Sequence, residues 1–227
     1  MDITNSDAVS CNKQVKVLIV DDQPLVCVGL RKMLESRPEF KVCGEALSAE
    51  EAMAVLQTGP PDLMMVDIML KDTSGLDLVE HVHAHFPKIV LMVVSIHDEA
   101  LYAERALQVG ALGYVHKLDP PGEVIKAALA VLRGEVYVTE KIASNLMTKI
   151  AGRRNQSSSV MDVLTCRELQ VFELTGEGLG PTQIGSRLKI NKNTVETYRT
   201  RIKKKLRFRN AAEMRREAIS WTHGPKS

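Results

Sequence analysis

The chain reads as an α/β protein in two parts: a five-stranded, doubly wound parallel sheet, then a second, smaller domain built only of helices. Three features of its 227 residues predict this. Four apolar runs each stop at a polar residue: Val15 to Val20 at Asp21 and Asp22, Leu63 to Val66 at Asp67, Ile89 to Val94 at Ser95, and Gly113 to His116 at Lys117. Such uninterrupted runs are strands buried on both faces, as in a parallel sheet. Helical patterns separate them, and that alternation argues for a sheet covered by helices on both sides. Charge also divides the chain. Up to Ile150 there are 14 Lys and Arg against 21 Asp and Glu, a net of −7, and from Ala151 there are 16 against 7, a net of +9.

The elements follow in order. Strand 1 leads past Pro24, suited to a first helical turn, into a helix reaching about Ser36. Phe40 to Ala46 is a second strand, and Ser48-Ala-Glu-Glu51 is a capping-box start for a helix ending near Gln57. Strand Leu63 to Val66, helix Ser74 to His85, strand Ile89 to Val94, helix Asp98 to Val109, strand Gly113 to His116 and helix Pro121 to Arg133 complete five βα units. Gly134 to Tyr137, a helix from Glu140 to Ile150, and a polar stretch from Gly152 to Ser159 without apolar periodicity follow. That stretch reads as a flexible linker. Beyond it, Thr165 to Glu168 is a capping box opening a helix that stops at Gly176 to Gly178. A helix from Pro181 to Leu188, the turn Lys189-Ile190-Asn191 and a long helix from Lys192 to about Arg207 form a helix-turn-helix, and Asn210 opens a last helix.

Composition narrows the function. No run approaches the roughly 18 apolar residues of a membrane span, and Met1 to Gln14 is polar rather than signal-like, so the expected location is cytoplasmic with no membrane partner. The four cysteines, Cys11, Cys27, Cys43 and Cys166, are scattered without a Cys-x-x-Cys pair and read as small hydrophobes. His81 and His85 share a helix face but have no third ligand nearby in sequence, and no metal site is assigned to them. A strongly basic small domain attached to an acidic one points to nucleic acid for the former.

In an open α/β sheet the carboxyl ends of the strands line one crevice, which brings together Asp21, Asp22, Asp67, Ser95 and Lys117. A carboxylate attacking a phosphoryl group meets charge repulsion, so the reaction needs a divalent cation and a positioned ammonium. Asp21 and Asp22 suit a hard cation such as Mg²⁺, Asp67 is the candidate nucleophile, Lys117 the phosphate contact and Ser95 a hydrogen-bond donor to the new phosphate oxygens.

The strings VLIVDDQP, LMMVDIML with Gly75 eight residues after its Asp, VVSIHDEA and GYVHK resemble the receiver domain of two-component response regulators, a flavodoxin-like fold, over Val15 to about Arg133. The resemblance implies that Asp67 is the phosphoacceptor, that Asp22, Asp67 and the main-chain carbonyl of Met69 ligate Mg²⁺, and that Asp21 supports it through water. It also implies that Ser95 and Tyr114 are switch residues and Lys117 the characteristic lysine. Leu118 stands where many receivers have proline.

In the long basic helix, Val195, Tyr198, Ile202 and Leu206 recur at core spacing. The opposite face carries Asn193, Glu196, Thr197 and Thr200, short polar side chains able to reach base edges. Lys192, Arg199, Arg201, Lys203, Lys204, Lys205, Arg207 and Arg209 surround them as phosphate contacts. The stretch from Leu164 to about Ile219 resembles the LuxR-type helix-turn-helix, which places Glu196, Thr197 and Thr200 at base-contact positions. Arg207 replaces the glycine usual after the recognition helix, raising the question of how that helix ends.

Together the two matches resemble the NarL/FixJ response regulators, with a receiver at 14–134, a linker with a helix at 135–160 and a DNA-binding domain at 161–227. The reading is a regulator phosphorylated at Asp67 by a sensor histidine kinase. Phosphate would draw in Ser95 and reorient Tyr114, changing the contacts of the surface from Asp98 to Arg133. A homodimer would then bind promoter half-sites on double-stranded DNA, with RNA polymerase a further implied partner. Two rivals stand beside it. A haloacid-dehalogenase-type phosphatase wants a second acid two residues after the nucleophile, where this chain has Met69. A phosphorylation-independent DNA-binding regulator would use the receiver only for dimerisation.

Overall fold

The computed structural model describes residues 14–71, 73–151 and 160–223. Its elements are β1 (Val15–Val20), α1 (Pro24–Glu35), β2 (Phe40–Ala46), α2 (Ala49–Thr58), β3 (Leu63–Val66), α3 (Gly75–His85), β4 (Val90–Ser95), α4 (Glu99–Gln108), β5 (Gly113–His116) and α5 (Pro121–Leu132). They are followed by α6 (Glu140–Ile150), α7 (Val160–Val163), α8 (Cys166–Gly176), α9 (Pro181–Leu188), α10 (Lys192–Lys205) and α11 (Ala211–His223). The expected linker at 152–159 lies outside the described residues.

The five strands pair in parallel in the order β2-β1-β3-β4-β5. Alternation along each strand sends side chains to opposite faces. Val17, Ile19, Leu63, Met65, Met92, Val94 and Val115 join α1 and α5 on one face. Leu18, Val20, Met64, Val66, Leu91, Val93 and Tyr114 pack under α2, α3 and α4 on the other. Connections leave β1 in one direction and β3 in the other, so a crevice opens beyond their carboxyl ends.

Beyond α5 the chain returns along the outer edge of β5. The Tyr114 N–H donates to Tyr137 O at 2.9 Å and the Tyr137 N–H to Leu112 O at 2.8 Å, which covers a strand edge otherwise open to pairing. Cys43, expected to be buried, lies exposed on the edge strand β2, whereas Cys27 is buried.

In the C-terminal domain α8 packs against α10 and α11, with Phe172 between the rings of Phe208 and Trp221. The capping box forms: Thr165 Oγ1 accepts from the Glu168 N–H, and the Glu168 carboxylate accepts from the Thr165 N–H at 2.8 Å. Helix α9 ends with Lys189 in the left-handed region (φ 55°), and the Ile190 N–H donates back to Gly185 O at 2.9 Å. A Cβ on Gly185 would meet Ile190 O at 2.7 Å, so glycine is what lets this turn close. Arg207 answers the question raised by its sequence: it takes the left-handed conformation itself (φ 57°), with the Phe208 N–H on Lys203 O at 2.9 Å.

Candidate functional site

Asp21 and Asp22 follow β1, Asp67 follows β3, Ser95 ends β4 and Lys117 follows β5, so each is aimed into the crevice by the strand before it. All three carboxylates are buried, at 2, 8 and 3% exposure, and one ligand oxygen from each lies within 4.8 Å of the others. Lys117 Nζ lies 2.6 Å from Asp21 Oδ2 and 3.0 Å from Asp67 Oδ2. Ser95 donates to Asp67 Oδ1 at 2.7 Å. Asp21 Oδ1 also accepts from the Gln23 N–H at 3.0 Å. Gly75 admits α3 to this region: a Cβ there would meet Asp67 O at 1.7 Å.

Burial pushes the Asp67 and Asp21 carboxyls above their usual range, against the pull of Lys117 on both and of Ser95 on Asp67. Burial also opposes the Lys117 ammonium, yet Asp67 and Asp21 outweigh it and hold the group above its ordinary value. The Asp67 carboxylate is thus kept near neutralising charge, beside two further oxygen-donor acids that could hold a hard divalent cation. Met69 lies in the loop after β3, which a bridge to Ser74 fastens.

The two residues that the resemblance implies as switches, Ser95 and Tyr114, are both buried and hydrogen-bonded. Tyr114 is buried and its hydroxyl donates to the carbonyl of His97 at 2.8 Å, while Ser95 is on Asp67. Burial raises the Tyr114 hydroxyl well above its ordinary value.

On α10, Val195 and Ile202 are buried and Tyr198 and Leu206 half-buried, leaving Asn193, Glu196, Thr197 and Thr200 exposed. Asn193, Glu196, Thr197, Thr200 and Arg201 line one shallow hollow. Lys192 and Lys204 are exposed and Lys203 half-buried. Arg199 folds against its own helix, 3.3 Å from Glu196, with its side chain 15% exposed. Lys205, expected among the phosphate contacts, instead pairs at 2.7 Å with the buried Glu168 carboxylate of the α8 capping box.

Sequence reasoning did not find the contacts between the two domains. Tyr102 on α4 donates to Glu173 Oε2 on α8 at 3.1 Å, and Arg105 Nη2 donates to Leu164 O at 2.6 Å. Lys189, in the helix-turn-helix turn, forms an ion pair with Asp22. Tyr102 and Arg105 belong to the surface expected to change its contacts, but nothing in their helical spacing names Glu173 or Leu164 as partners.

This architecture is that of a two-domain response regulator. The model for the response regulator receiver domain matches residues 17–129, and that for bacterial regulatory proteins of the luxR family matches residues 162–218. The chain belongs to the NarL/FixJ-type transcriptional response regulators, a family of regulators rather than turnover enzymes, which sets the phosphatase rival aside. It is 30% identical over 203 residues to the transcriptional activator protein ExaE of Pseudomonas putida, covering 89% of this chain and 95% of that one. It is 29% identical over 206 residues to the response regulator UvrY of Escherichia coli K12, covering 90% and 94%. Among solved structures, RcsB from Salmonella enterica serovar Typhimurium, bound to promoter rprA with phosphomimetic BeF₃⁻, aligns at a TM-score of 0.59. That match covers 91% of this chain and 99% of that chain at 24% identity, a likeness of fold. Among the described residues no helix is long and apolar enough to cross a membrane.

Proposed function

We propose that a partner histidine kinase phosphorylates Asp67 and that this controls sequence-specific binding of the 161–227 domain to promoter DNA. The observation that carries the reading is the Asp67 carboxylate, buried between Lys117 and Ser95 with Asp21 and Asp22 beside it. In the transfer, the nitrogen–phosphorus bond of the kinase phosphohistidine breaks, an Asp67 oxygen–phosphorus bond forms, and the electron pair returns to the imidazole. Asp22, Asp67 and the Met69 carbonyl would hold Mg²⁺, with Asp21 in support. When bound, that ion supplies neutralisation of the charge shared by carboxylate and phosphoryl oxygens. Lys117 holds a phosphoryl oxygen with its ammonium, and Ser95 donates a hydrogen bond to another.

On the DNA side, Asn193, Glu196, Thr197 and Thr200 read base edges in the major groove, while Lys192, Arg199, Arg201, Lys203 and Lys204 meet phosphates. Phosphorylated chains pair as homodimers on half-sites about one DNA turn apart, roughly 34 Å. Light scattering with and without phosphodonor checks this; an unchanged monomer on a single half-site would refute pairing. RNA polymerase is the partner through which bound dimers act.

The decisive experiment is intact mass after incubation with Mg²⁺ and a small acyl phosphate. Wild type gains one phosphoryl group and Asp67→Asn gains none; a gain in both removes Asp67 as acceptor. A second reading is a phosphorylation-independent DNA-binding regulator that uses the receiver only for dimerisation. It requires unmodified protein to bind its DNA as tightly as phosphorylated protein, which a gel-shift comparison decides.

A further inference from the structure

We infer that Lys189 is a tethered cation that competes with the divalent metal for Asp22, so that metal binding in the acid pocket and docking of the helix-turn-helix turn on the receiver oppose one another. This rests on the metal reading of the Asp21, Asp22 and Asp67 pocket. A buried carboxylate requires a counter-charge. Lys117 lies against Asp21 and Asp67, and the cation on Asp22 is Lys189, from the other domain. Asp22 is 8% exposed while the Lys189 side chain is 47% exposed, so the ammonium reaches in from solvent and can withdraw to it.

The lysine's place is set by backbone rather than by chance extension. Lys189 occupies the left-handed position closing α9, where glycine would be unstrained, with the Ile190 N–H bonded back to Gly185 O. The Tyr102–Glu173 and Arg105–Leu164 contacts hold the domains together, which keeps the ammonium at high effective concentration beside Asp22. An ion bound at Asp22 therefore has to displace a cation already in place.

The same contact bears on DNA. Lys189 lies three residues before Lys192, at the end of α10 from which a recognition helix reaches base edges. While Lys189 sits on Asp22, an acidic body occupies the flank of that end and one cation is withheld from DNA phosphate. The Lys189–Asp22 pair joins the pocket to the other domain, so an ion that displaces Lys189 acts on the domain contact as well. Coupling is reciprocal: whatever loosens the domain contact must tighten metal binding.

Calorimetric titration of Mg²⁺ into the full chain, without phosphodonor and at fixed ionic strength, tests this. Lys189→Ala should bind Mg²⁺ about fivefold more tightly than wild type, an effect of the size an ion pair with one exposed partner supplies. Lys189→Arg should stay near wild type. Lys88→Ala, which removes the same charge from an exposed site where β4 begins, should match wild type and exclude a general charge effect. Arg105→Ala, which removes the Leu164 contact away from the pocket, should also tighten Mg²⁺ binding. Equal affinity in wild type and Lys189→Ala overturns the competition. A tightened Lys189→Ala beside an unchanged Arg105→Ala overturns its coupling to docking. Absence of Mg²⁺ binding in wild type and every variant overturns the metal reading itself.

Discussion

The acid pocket and the outer face of α10 are opposite kinds of site. In the pocket every named charge has an answering partner: Lys117 lies between Asp21 and Asp67, Ser95 is on Asp67, and Lys189 is on Asp22. On α10, Asn193, Glu196, Thr197 and Thr200 are exposed, and Thr197 Oγ1 donates only within its own helix, to Asn193 O at 3.0 Å. Electrostatic energy in the pocket is committed on folding, whereas on the helix face Glu196 pairs with the neighbouring Arg199 and the exposed Asn193, Thr197 and Thr200 are left for a ligand. Substitutions in the pocket should therefore register as stability, and those on α10 as binding with the fold untouched.

The largest test of this contrast is Lys117→Ala. It leaves Asp21 and Asp67 buried together without their cation, a class of change that costs about 3 kcal/mol or more. Denaturant unfolding should show the loss, and saturating Mg²⁺ should recover much of it by replacing the lost positive charge. Unchanged stability would place the pocket in the same class as the α10 face.

His97 gives the next effect. Burial, then Lys117, Arg187 and His116, hold its imidazole down at about 4 against an ordinary 6.5. The folded chain thus keeps it neutral while the unfolded chain takes up the proton. Its contribution is full above pH 6.5, declines as pH falls below that, and is gone below about 4. The shift corresponds to an upper bound of about 3 kcal/mol, lowered by partial solvent access. Since Arg187 belongs to the other domain, acid should loosen the domain contact as well. The stability difference between wild type and His97→Asn, followed from pH 7 to 4, should narrow as pH falls; a constant difference would refute the assignment.

How far these sites can be read from sequence follows from the same contrast. Asp21, Asp22, Asp67, Ser95 and Lys117 are legible because each terminates a buried strand, and parallel strands end on one side. The Asn193, Glu196, Thr197 and Thr200 face is legible as the complement of Val195 and Ile202. What is not legible is pairing across distance. Lys189 and Asp22 are 167 residues apart, and an ion pair between domains leaves no periodicity. Lys205 stands in a Lys-Lys-Lys run that reads as phosphate contacts, yet its partner is the Glu168 that closes the α8 capping box. The resemblance marks Tyr114, but the bond from its hydroxyl to the His97 carbonyl is one that no spacing announces.

Lys205 and Lys203 divide the basic run. Lys205→Ala strips the counter-charge from Glu168, which is only 3% exposed at its side chain, and should cost the C-terminal domain about 1–2 kcal/mol in thermal unfolding. Lys203→Ala should leave unfolding unchanged, weaken all DNA sequences alike and reduce the salt slope of binding by about 1. If Lys205→Ala behaved as Lys203→Ala does, the ion pair with Glu168 would contribute nothing to the fold.

Thr197→Ala carries the smallest expected effect and the sharpest distinction. The lost hydroxyl bonds only to Asn193 O, and alanine is the better helix former, so stability should move by no more than about 0.5 kcal/mol. Thr197 stands at the middle of the exposed row, between Asn193 and Thr200, where a base edge rather than a phosphate would meet it. Its removal should lower the preference for the selected site over a mismatched one by about 1 kcal/mol, with affinity for random DNA nearly constant. Competition binding of wild type and variant to selected, mismatched and random duplexes measures both quantities. An equal loss on all three would make Thr197 a backbone contact, and the reading of α10 would then shift to Asn193, Glu196 and Thr200.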